Sequence, residues 1–269
     1  MMIPKVVLTH KPLIICSLFF CFWLNGASAK ELMLSPEEQA YLNKEPTIKM
    51  CVDPDWMPYE RLDSQGRHEG LVSEYMALIS TRLNLGLSIV KTSTWKETQD
   101  LYQNGNCDVV SALNITPERE KYLEFTDPYI KSPAVLVLDN SNLQVTNLAD
   151  LKGKKLGMVE GYVYDAKLRA DYPDIQIIYQ PNMEVALRKV SGGEVDATLG
   201  PLFLIFHLTQ ELSLENVKVV GNTEYQDELR IGINKGTTAL AGALNKAVSS
   251  LSAEDHRLMR KTWAKTRRQ

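Results

Sequence analysis

An arginine without an acidic residue at helical spacing is the residue of this sequence that most clearly requires a partner. Arg119 follows Thr116 and Pro117 within ALNITPEREKYLEFTDPYI (112–130), where Thr116 suits the N-cap of a helix and Pro117 its first position. That first turn already carries partial positive charge, so a cation there is mildly unfavourable. None of the residues three or four positions away is acidic. The counter-ion of Arg119 is therefore either a distant carboxylate of the protein or a bound ligand, since a guanidinium fits a carboxylate with two parallel hydrogen bonds.

Three polar residues stand where two predicted strands end. Asp53 follows the strand predicted at 47–52, and Ser111 and Asn114 close the strand predicted at 107–113. Ligands of open α/β sheets bind beyond the carboxyl ends of the strands. Ser111 and Asn114 need hydrogen-bond partners in such a buried place, and a ligand is one source of them. Asp53 suits either an ammonium group or a turn.

Strands and helices alternate along the chain, which indicates an α/β fold. The segments GNCDVVSALN (105–114) and GGEVDATLGP (192–201) are similar, which indicates two similar lobes that each contain a parallel sheet. The unbroken apolar centre of 107–113 favours burial on both faces. We predict strands at 47–52, 86–92, 107–113, 134–139, 155–161, 175–180, 195–201 and 229–236, and helices at 69–85, 95–105, 162–173 and 183–193 with two more before the C-terminus.

The N-terminus has the pattern of a cleavable export signal. Two lysines precede an apolar run at 13–24, and Ala27-Ser28-Ala29 gives a small-x-small cleavage site. The run is short for a membrane span. Cleavage after Ala29 leaves 240 residues (269 − 29), with 28 basic (30 − 2) against 33 acidic side chains, a balance of −5. This charge gives no indication of nucleic-acid binding, and we expect an exported protein.

Two cysteines, Cys51 and Cys107, remain after this cleavage. In an oxidising compartment they are either a disulfide or two small buried hydrophobic side chains. If their strands are parallel neighbours and the cysteines are offset by two residues, their Cα atoms lie about 8 Å apart, beyond the usual disulfide range. We therefore expect no bond. The histidines are scattered and no zinc spacing is present, so no metal is expected.

Six collinear segments resemble the family 3 extracellular solute-binding proteins, the periplasmic amino-acid-binding type, over nearly all of 45–264. The opening LSPEEQAYLNKEPTIKMCVDPDW also resembles the periplasmic sensing domains of some two-component sensor kinases. The segments are IKMCVDPDWMPYE, HEGLVSEYMALISTRL, GNCDVVSALNITPEREKYLEFTDPYI, LADLKGKKLGMVEG, GGEVDATLG and LRIGINKG.

The resemblance implies a two-lobed periplasmic-binding-protein (Venus-flytrap) fold of the α/β class. Each lobe would be a mostly parallel sheet flanked by helices, and a two-strand hinge at about 136–139 and 224–229 would join the lobes around a ligand cleft. The implied divisions are a signal peptide at 1–29, an N-terminal lead-in at 30–44, lobe 1 at 45–137 and 224–269, and lobe 2 at 138–223.

The resemblance also implies ligand-binding roles. Arg119 would hold a ligand carboxylate, and Trp56 and Trp95 would sandwich the ligand's body. Gly161 would line the cleft from lobe 2, followed by Tyr162 and Val163 where amino-acid binders often carry a small hydroxyl residue. Those binders also carry an acid for the α-ammonium at the position of Pro201, and proline offers neither charge nor donor. Either Asp53 or Glu160 replaces it, or the ligand is a carboxylate without an α-amino group.

Known catalytic motifs are absent from the sequence, including Gly-x-Ser-x-Gly and the P-loop. A few relatives of this fold are periplasmic dehydratases, which leaves an enzyme as the least favoured alternative. We predict a monomeric periplasmic carrier without a cofactor, which binds a small anionic or zwitterionic metabolite for an ABC-type membrane permease. The alternative is a stand-alone sensory module that presents its ligand state to a sensor protein. The absence of a kinase or membrane segment after Gln269 favours the carrier.

Overall fold

The structure is a computed structural model that describes residues 32–142 and 144–265. The predicted signal peptide and its cleavage site lie outside the described residues. The helices are α1 (Pro36–Lys44), α2 (Leu71–Leu83), α3 (Trp95–Gln103), α4 (Asp165–Asp171), α5 (Met183–Ser191), α6 (Leu202–Glu211), α7 (Thr238–Ser249) and α8 (Ala253–Lys265). The strands are β1 (Thr47–Cys51), β2 (Asp55–Trp56), β3 (Glu60–Leu62), β4 (His68–Glu69), β5 (Gly86–Ile89), β6 (Val109–Leu113), β7 (Leu123–Phe125), β8 (Ile130–Asp139), β9 (Lys155–Val159), β10 (Gln176–Gln180), β11 (Ala197–Pro201) and β12 (Val217–Asn234).

The main sheet contains two groups of parallel strands joined by two long antiparallel strands. Its order is β10-β9-β11-β8-β12-β6-β1-β5, and β7 pairs with β12 outside this path. In one group β1 runs parallel to β5 and β6, and in the other β9 runs parallel to β10 and β11. Strands β8 and β12 pair with each other from Val217↔Asp139 to Leu229↔Ile130. Both halves are therefore mostly parallel sheets, as predicted.

The burial of β6 and α2 follows from their sequences. All five residues of β6 are buried, which confirms the prediction from its unbroken apolar run. In α2, apolar residues recur at helical spacing, and Leu71, Tyr75, Ile79 and Leu83 are buried. The helix ends at Asn84, whose φ of 49° is left-handed, a conformation that asparagine tolerates at helix ends.

Three local elements differ from the sequence-based predictions. The helix predicted at 162–173 is shorter and covers Asp165–Asp171. Helix α6 was not predicted, because LFLIFHLTQE is apolar on several sides and has no clear polar face. The turn-rich segment after β1 forms a small antiparallel sheet in the order β2-β3-β4.

Cys51 and Cys107 are joined by a disulfide, so the prediction that they stay apart was wrong. Their Cα atoms lie 5.8 Å apart, inside the usual range. The register pairs Cys51 with Val110, and β6 begins only at Val109. Cys107 therefore belongs to the turn before β6. The chain there does not rise along the strand axis, and the assumed strand spacing does not apply.

Candidate ligand-binding site

A cavity of about 540 Å³ opens beyond the ends of the parallel strands. Its volume lies within the range of small-molecule sites in proteins. Both groups of parallel strands contribute to its wall. Eight of the nine residues predicted from the sequence line it: Asp53, Trp56, Trp95, Asn114, Arg119, Gly161, Tyr162 and Val163.

Arg119 is half-buried in this wall and has no carboxylate partner among the described residues. Its Nη1 donates to the backbone oxygen of Asn114 at 2.9 Å. The guanidinium carbon also lies 5.9 Å from the centre of the Trp95 ring. The remaining guanidinium donors are thus available to a ligand. By contrast Arg61, which also lines the cavity, is paired with Glu69 at 2.9 Å.

The helix predicted to begin at Thr116 is a single 3₁₀ turn at Arg119–Lys121. Thr116 still acts as a cap, because its hydroxyl accepts the Arg119 backbone N–H at 3.2 Å. A turn of this length supplies no helix dipole of consequence. The partial positive charge that the sequence suggested for the turn around Arg119 is therefore small, and the positive charge at this place comes from the guanidinium.

Asp53 begins a tight turn just after the carboxyl end of β1. Its carboxylate accepts the backbone N–H of Asp55 at 3.0 Å, which is the turn geometry that aspartate favours. The same side chain lines the cavity. Burial raises the pKa of Asp53 to about 7, although the Asp55 hydrogen bond opposes this rise. The sequence left open whether Asp53 forms a turn or faces the cleft, and the structure shows it doing both.

Ser111 does not line the cavity, because its hydroxyl is hydrogen-bonded to Glu60 in the protein interior. Ser111 is fully buried and donates to Glu60 Oε2 at 2.6 Å. The same carboxylate lies 2.8 Å from His68 Nε2, and its other oxygen accepts the backbone N–H of Asp53 at 3.0 Å. Glu60 is 0% exposed. Its hydrogen bond to the Asp53 backbone therefore fixes the start of the Asp53 turn from the protein interior. This network could not be predicted, because it depends on the small β2-β3-β4 sheet.

Asp227 is a second carboxylate of the cavity wall that the sequence did not reveal. It is 3% exposed and lies in β12, seven residues before the end of that strand. Asn114 Nδ2 donates to its Oδ1 at 2.7 Å, and the Tyr164 hydroxyl donates to its Oδ2. Burial raises the pKa of Asp227, and these two hydrogen bonds oppose the rise. The strand was predicted only from residue 229, so nothing placed Asp227 near the cleft.

Three aromatic residues, Trp56, Trp95 and Tyr162, line the cavity. Two of them pack against further rings: Trp56 and Tyr59 lie 4.6 Å apart between ring centres, and Tyr162 and Tyr164 lie 6.0 Å apart at a near-right angle. The buried indole Nε1 of Trp56 has no hydrogen-bond partner in the described part of the chain. A buried donor of this kind is costly unless a ligand or water pairs with it.

The charge of the wall is mainly negative. Two arginines line the cavity, Arg61 and Arg119, against six acidic residues. The acidic residues are Asp53, Asp55, Glu160, Glu184, Glu211 and Asp227. A ligand that carries only a carboxylate would meet this excess of negative charge, so the wall favours a ligand that also carries positive charge.

The fold and the cleft are those of two-lobed, Venus-flytrap periplasmic binding proteins. The structure superimposes on the crystal structure of the Bordetella pertussis BvgS periplasmic VFT2 domain with a TM-score of 0.79 at 21% identity, covering 86% of this chain and 99% of that one. This likeness confirms the predicted fold class. The chain belongs to the bacterial extracellular solute-binding proteins, family 3, whose model matches residues 48–266.

Relatives with two different roles share this sequence pattern. The virulence sensor protein BvgS of Bordetella pertussis is 24% identical over 235 residues, which are 87% of this chain and 19% of BvgS. ABC transporter arginine-binding protein 1 of Escherichia coli is 26% identical over 149 residues, 54% of this chain and 60% of that protein. This chain therefore spans about a fifth of the length of the sensor relative. Within the described residues, no helix has the length and apolarity to cross a membrane.

Proposed function

We propose that this protein captures a small carboxylate-bearing metabolite in the cavity between the two halves of its sheet. Arg119 carries this proposal, because it is a half-buried cation in a cavity wall without a carboxylate partner in the described chain. A half-buried guanidinium without a counter-ion loses part of its solvation and gains no ion pair in return. A ligand carboxylate would supply that ion pair through two parallel hydrogen bonds. Trp56, Trp95 and Tyr162 would then enclose the ligand's apolar part.

Amino acids are the favoured ligands within this class. A zwitterion offers a carboxylate to Arg119 and positive charge to a wall that is otherwise mainly acidic. The named ligand of the E. coli relative, arginine, has this charge pattern. We propose binding rather than catalysis, because the two most buried acids of the wall, Asp53 and Asp227, are held by hydrogen bonds from neighbouring groups.

The two lobes would close on the ligand about the β8–β12 pair. The proposed hinge segments, at about 136–139 and 224–229, lie at and beside the irregular part of this ladder. Its register shifts between Val219 and Gly221 and again between Asn222 and Gln226. Such irregularities interrupt the regular pairing and allow local bending. We place lobe 1 at 45–137 and 224–269 and lobe 2 at 138–223.

The cellular role would be delivery of the ligand to a membrane permease of the ABC type by a periplasmic, monomeric carrier. A second role, ligand sensing for a signalling protein, is favoured by one observation: the sensor relative matches 87% of this chain, whereas the arginine-binding relative matches 54%. Uptake of the labelled ligand by cells with and without the gene separates the two roles. Loss of uptake supports the carrier, and a changed transcriptional response with normal uptake supports the sensor.

A thermal-shift screen of amino acids and organic acids tests ligand capture itself. A ligand that binds only the folded state stabilises it by about 2.7 kcal/mol at 100 times its dissociation constant. We expect at least one small carboxylate to raise the melting temperature of the wild type and not that of Arg119→Ala. A broad panel without any shift would contradict the proposal.

A further inference from the structure

A buried carboxylate on the cavity wall lacks a positive partner. Asp227 is 3% exposed, and both of its described hydrogen bonds come from neutral donors, the amide of Asn114 and the hydroxyl of Tyr164. No Lys, Arg or His lies within ion-pair distance of it among the residues that the structure describes. Charges buried in proteins are normally paired, because an isolated ion loses much of its solvation.

The two donors hold the carboxylate in place and leave acceptor capacity unused. Each carboxylate oxygen has two lone-pair sites, and each oxygen of Asp227 accepts one described hydrogen bond. Asn114 is itself fixed, since its Oδ1 accepts the Glu228 backbone N–H at 2.8 Å. Asp227 therefore presents a rigid acceptor at the cavity, prepared for a donor that the described chain does not supply.

Asn114 also sets the distance between this acceptor and Arg119. Its backbone oxygen receives Arg119 Nη1 at 2.9 Å, and its Nδ2 reaches Asp227 Oδ1 at 2.7 Å. The two contacts are separated by the length of one asparagine residue. Arg119 Nη1 and Asp227 Oδ1 are therefore at most about 11 Å apart. A ligand with adjacent carboxylate and ammonium groups, each about 2.8 Å from its partner, reaches about 9 Å, which lies within this upper bound.

We propose that Asp227, held by Asn114 and Tyr164, binds the α-ammonium group of the ligand, so that the ligand is an amino acid rather than a simple carboxylate. This inference rests on the proposed function, in which Arg119 binds the ligand's carboxylate. Asp227 would then supply, from the β12 strand, the negative charge that Pro201 does not provide at the end of β11.

The other two candidate acceptors are less suited to this role. Glu160 is exposed, so water and salt screen its charge. Asp53 is less buried than Asp227. An ammonium gains most from the carboxylate that is least solvated, because the attraction between charges is strongest where water is excluded.

Pairs of amino acids and their analogues without the α-amino group test this inference by calorimetry. The probes are the proteinogenic L-amino acids, each compared with its deamino acid, such as arginine with 5-guanidinopentanoate and glutamate with glutarate. We expect the amino acid that binds wild type to bind at least about 30-fold more tightly than its analogue. Asp227→Asn should remove most of this preference and leave the weak binding of the analogue unchanged, which also shows that the variant is folded.

Two further variants make the assignment specific. Asp174→Asn removes an exposed charge away from the cavity and should keep the wild-type preference, whereas Asp53→Asn tests the rival acceptor. Loss of the preference in Asp53→Asn but not in Asp227→Asn would overturn the proposal. If Asp227→Asn fails to fold, the wild-type protein still tests the proposal. Equal wild-type affinity for an amino acid and its deamino analogue would overturn the role of Asp227. If no carboxylate of either series binds, the proposed function falls as well, whereas tight binding of deamino acids overturns only the role of Asp227.

Discussion

The guanidinium carbon of Arg119 lies 5.9 Å from the centre of the Trp95 ring. A cation at this distance from an indole face is attracted by the ring and is also restrained in orientation. Because Asn114 accepts one edge of the guanidinium, the aromatic contact and the carbonyl together fix its plane. Trp95 would thus contribute to the site both by contacting the ligand and by directing the remaining N–H groups of Arg119.

Replacing Arg119 should weaken ligand binding strongly and barely affect the stability of the empty protein. We expect the affinity to fall by one to three decades in Arg119→Ala, because removing one partner of a buried charge pair costs ~2–5 kcal/mol. Arg119→Lys should lose almost as much, since an ammonium cannot form two parallel hydrogen bonds with a carboxylate. Calorimetric titration and melting of the ligand-free variants provide the two measurements.

Arg61→Ala is the matched control for this experiment. It removes a cation of the same cavity wall, but one already paired with Glu69. Its effect on affinity should stay within about threefold, or ~0.6 kcal/mol. If Arg119→Ala instead melted well below the wild type while keeping its affinity, Arg119 would be a structural residue and the carboxylate assignment would be wrong.

The stability of the protein should decline as the pH rises through the titration of Asp53. Burial raises the pKa of Asp53 in the folded state to about 7, from an ordinary value of 3.8. Between these values the unfolded chain is ionised while the folded chain keeps its proton, so stability falls from about pH 4 to about pH 7 and is then constant. Urea unfolding of wild type and Asp53→Asn across this range should show the variant gaining relative stability as the pH rises. A constant difference would contradict the raised pKa.

Glu60→Ala should destabilise the protein by about 3–5 kcal/mol, because it leaves buried polar groups without partners. The groups affected are the Ser111 hydroxyl, the His68 ring and the Asp53 backbone N–H. Glu254→Ala, which removes an exposed partner of Arg257, should leave the urea midpoint unchanged. A wild-type midpoint for Glu60→Ala would mean that water replaces the carboxylate and that the network adds nothing to stability.

The Cys51–Cys107 disulfide should stabilise the protein by about 2–4 kcal/mol, since it closes a long loop in the unfolded chain. The two cysteines are separated by 56 positions in sequence. Urea unfolding with and without a reductant gives the difference, and a linked peptide in mass spectrometry identifies the bond. The double variant Cys51→Ala/Cys107→Ala should match the reduced wild type and should not respond to the reductant. A free thiol at both positions in protein purified without a reductant would contradict the bond.

The parts of the fold with strong local signals could be predicted from the sequence. The apolar run of β6, the spacing of α2 and the collinear family segments all led to the observed elements. Arg119 was found as a candidate because its oddity is local: it is a cation in a predicted first helical turn with no acid three or four residues away. Arg119, Asp53, Trp56 and Asn114 all line the cavity. They follow the carboxyl ends of strands that meet at one edge of the sheet, where ligands of α/β folds bind.

The parts that could not be predicted depend on contacts between distant segments. Ser111 was expected in the cleft, but Glu60, 51 positions away, takes its hydroxyl. Asp227 of β12 meets Asn114, the residue that follows β6, across 113 positions of sequence. The disulfide was missed because one residue of the turn before β6 was given the geometry of a strand. Sequence spacing describes a single element well, but it does not show which side chain of another element fills the space beside it.

The place of β12 in the sheet has a consequence for the order of assembly. This strand, Val217–Asn234, lies between β6 and β8 although it follows both of them in the sequence, so a segment synthesised after its two neighbours occupies the centre. The two parallel groups cannot be joined until it arrives, and folding must wait for contacts between distant parts of the chain, which slows it. Asp227 arrives with the same strand. Ligand recognition would therefore be acquired only after β12 has joined the sheet, and a chain shortened before β12 would lack both the connection and the acceptor.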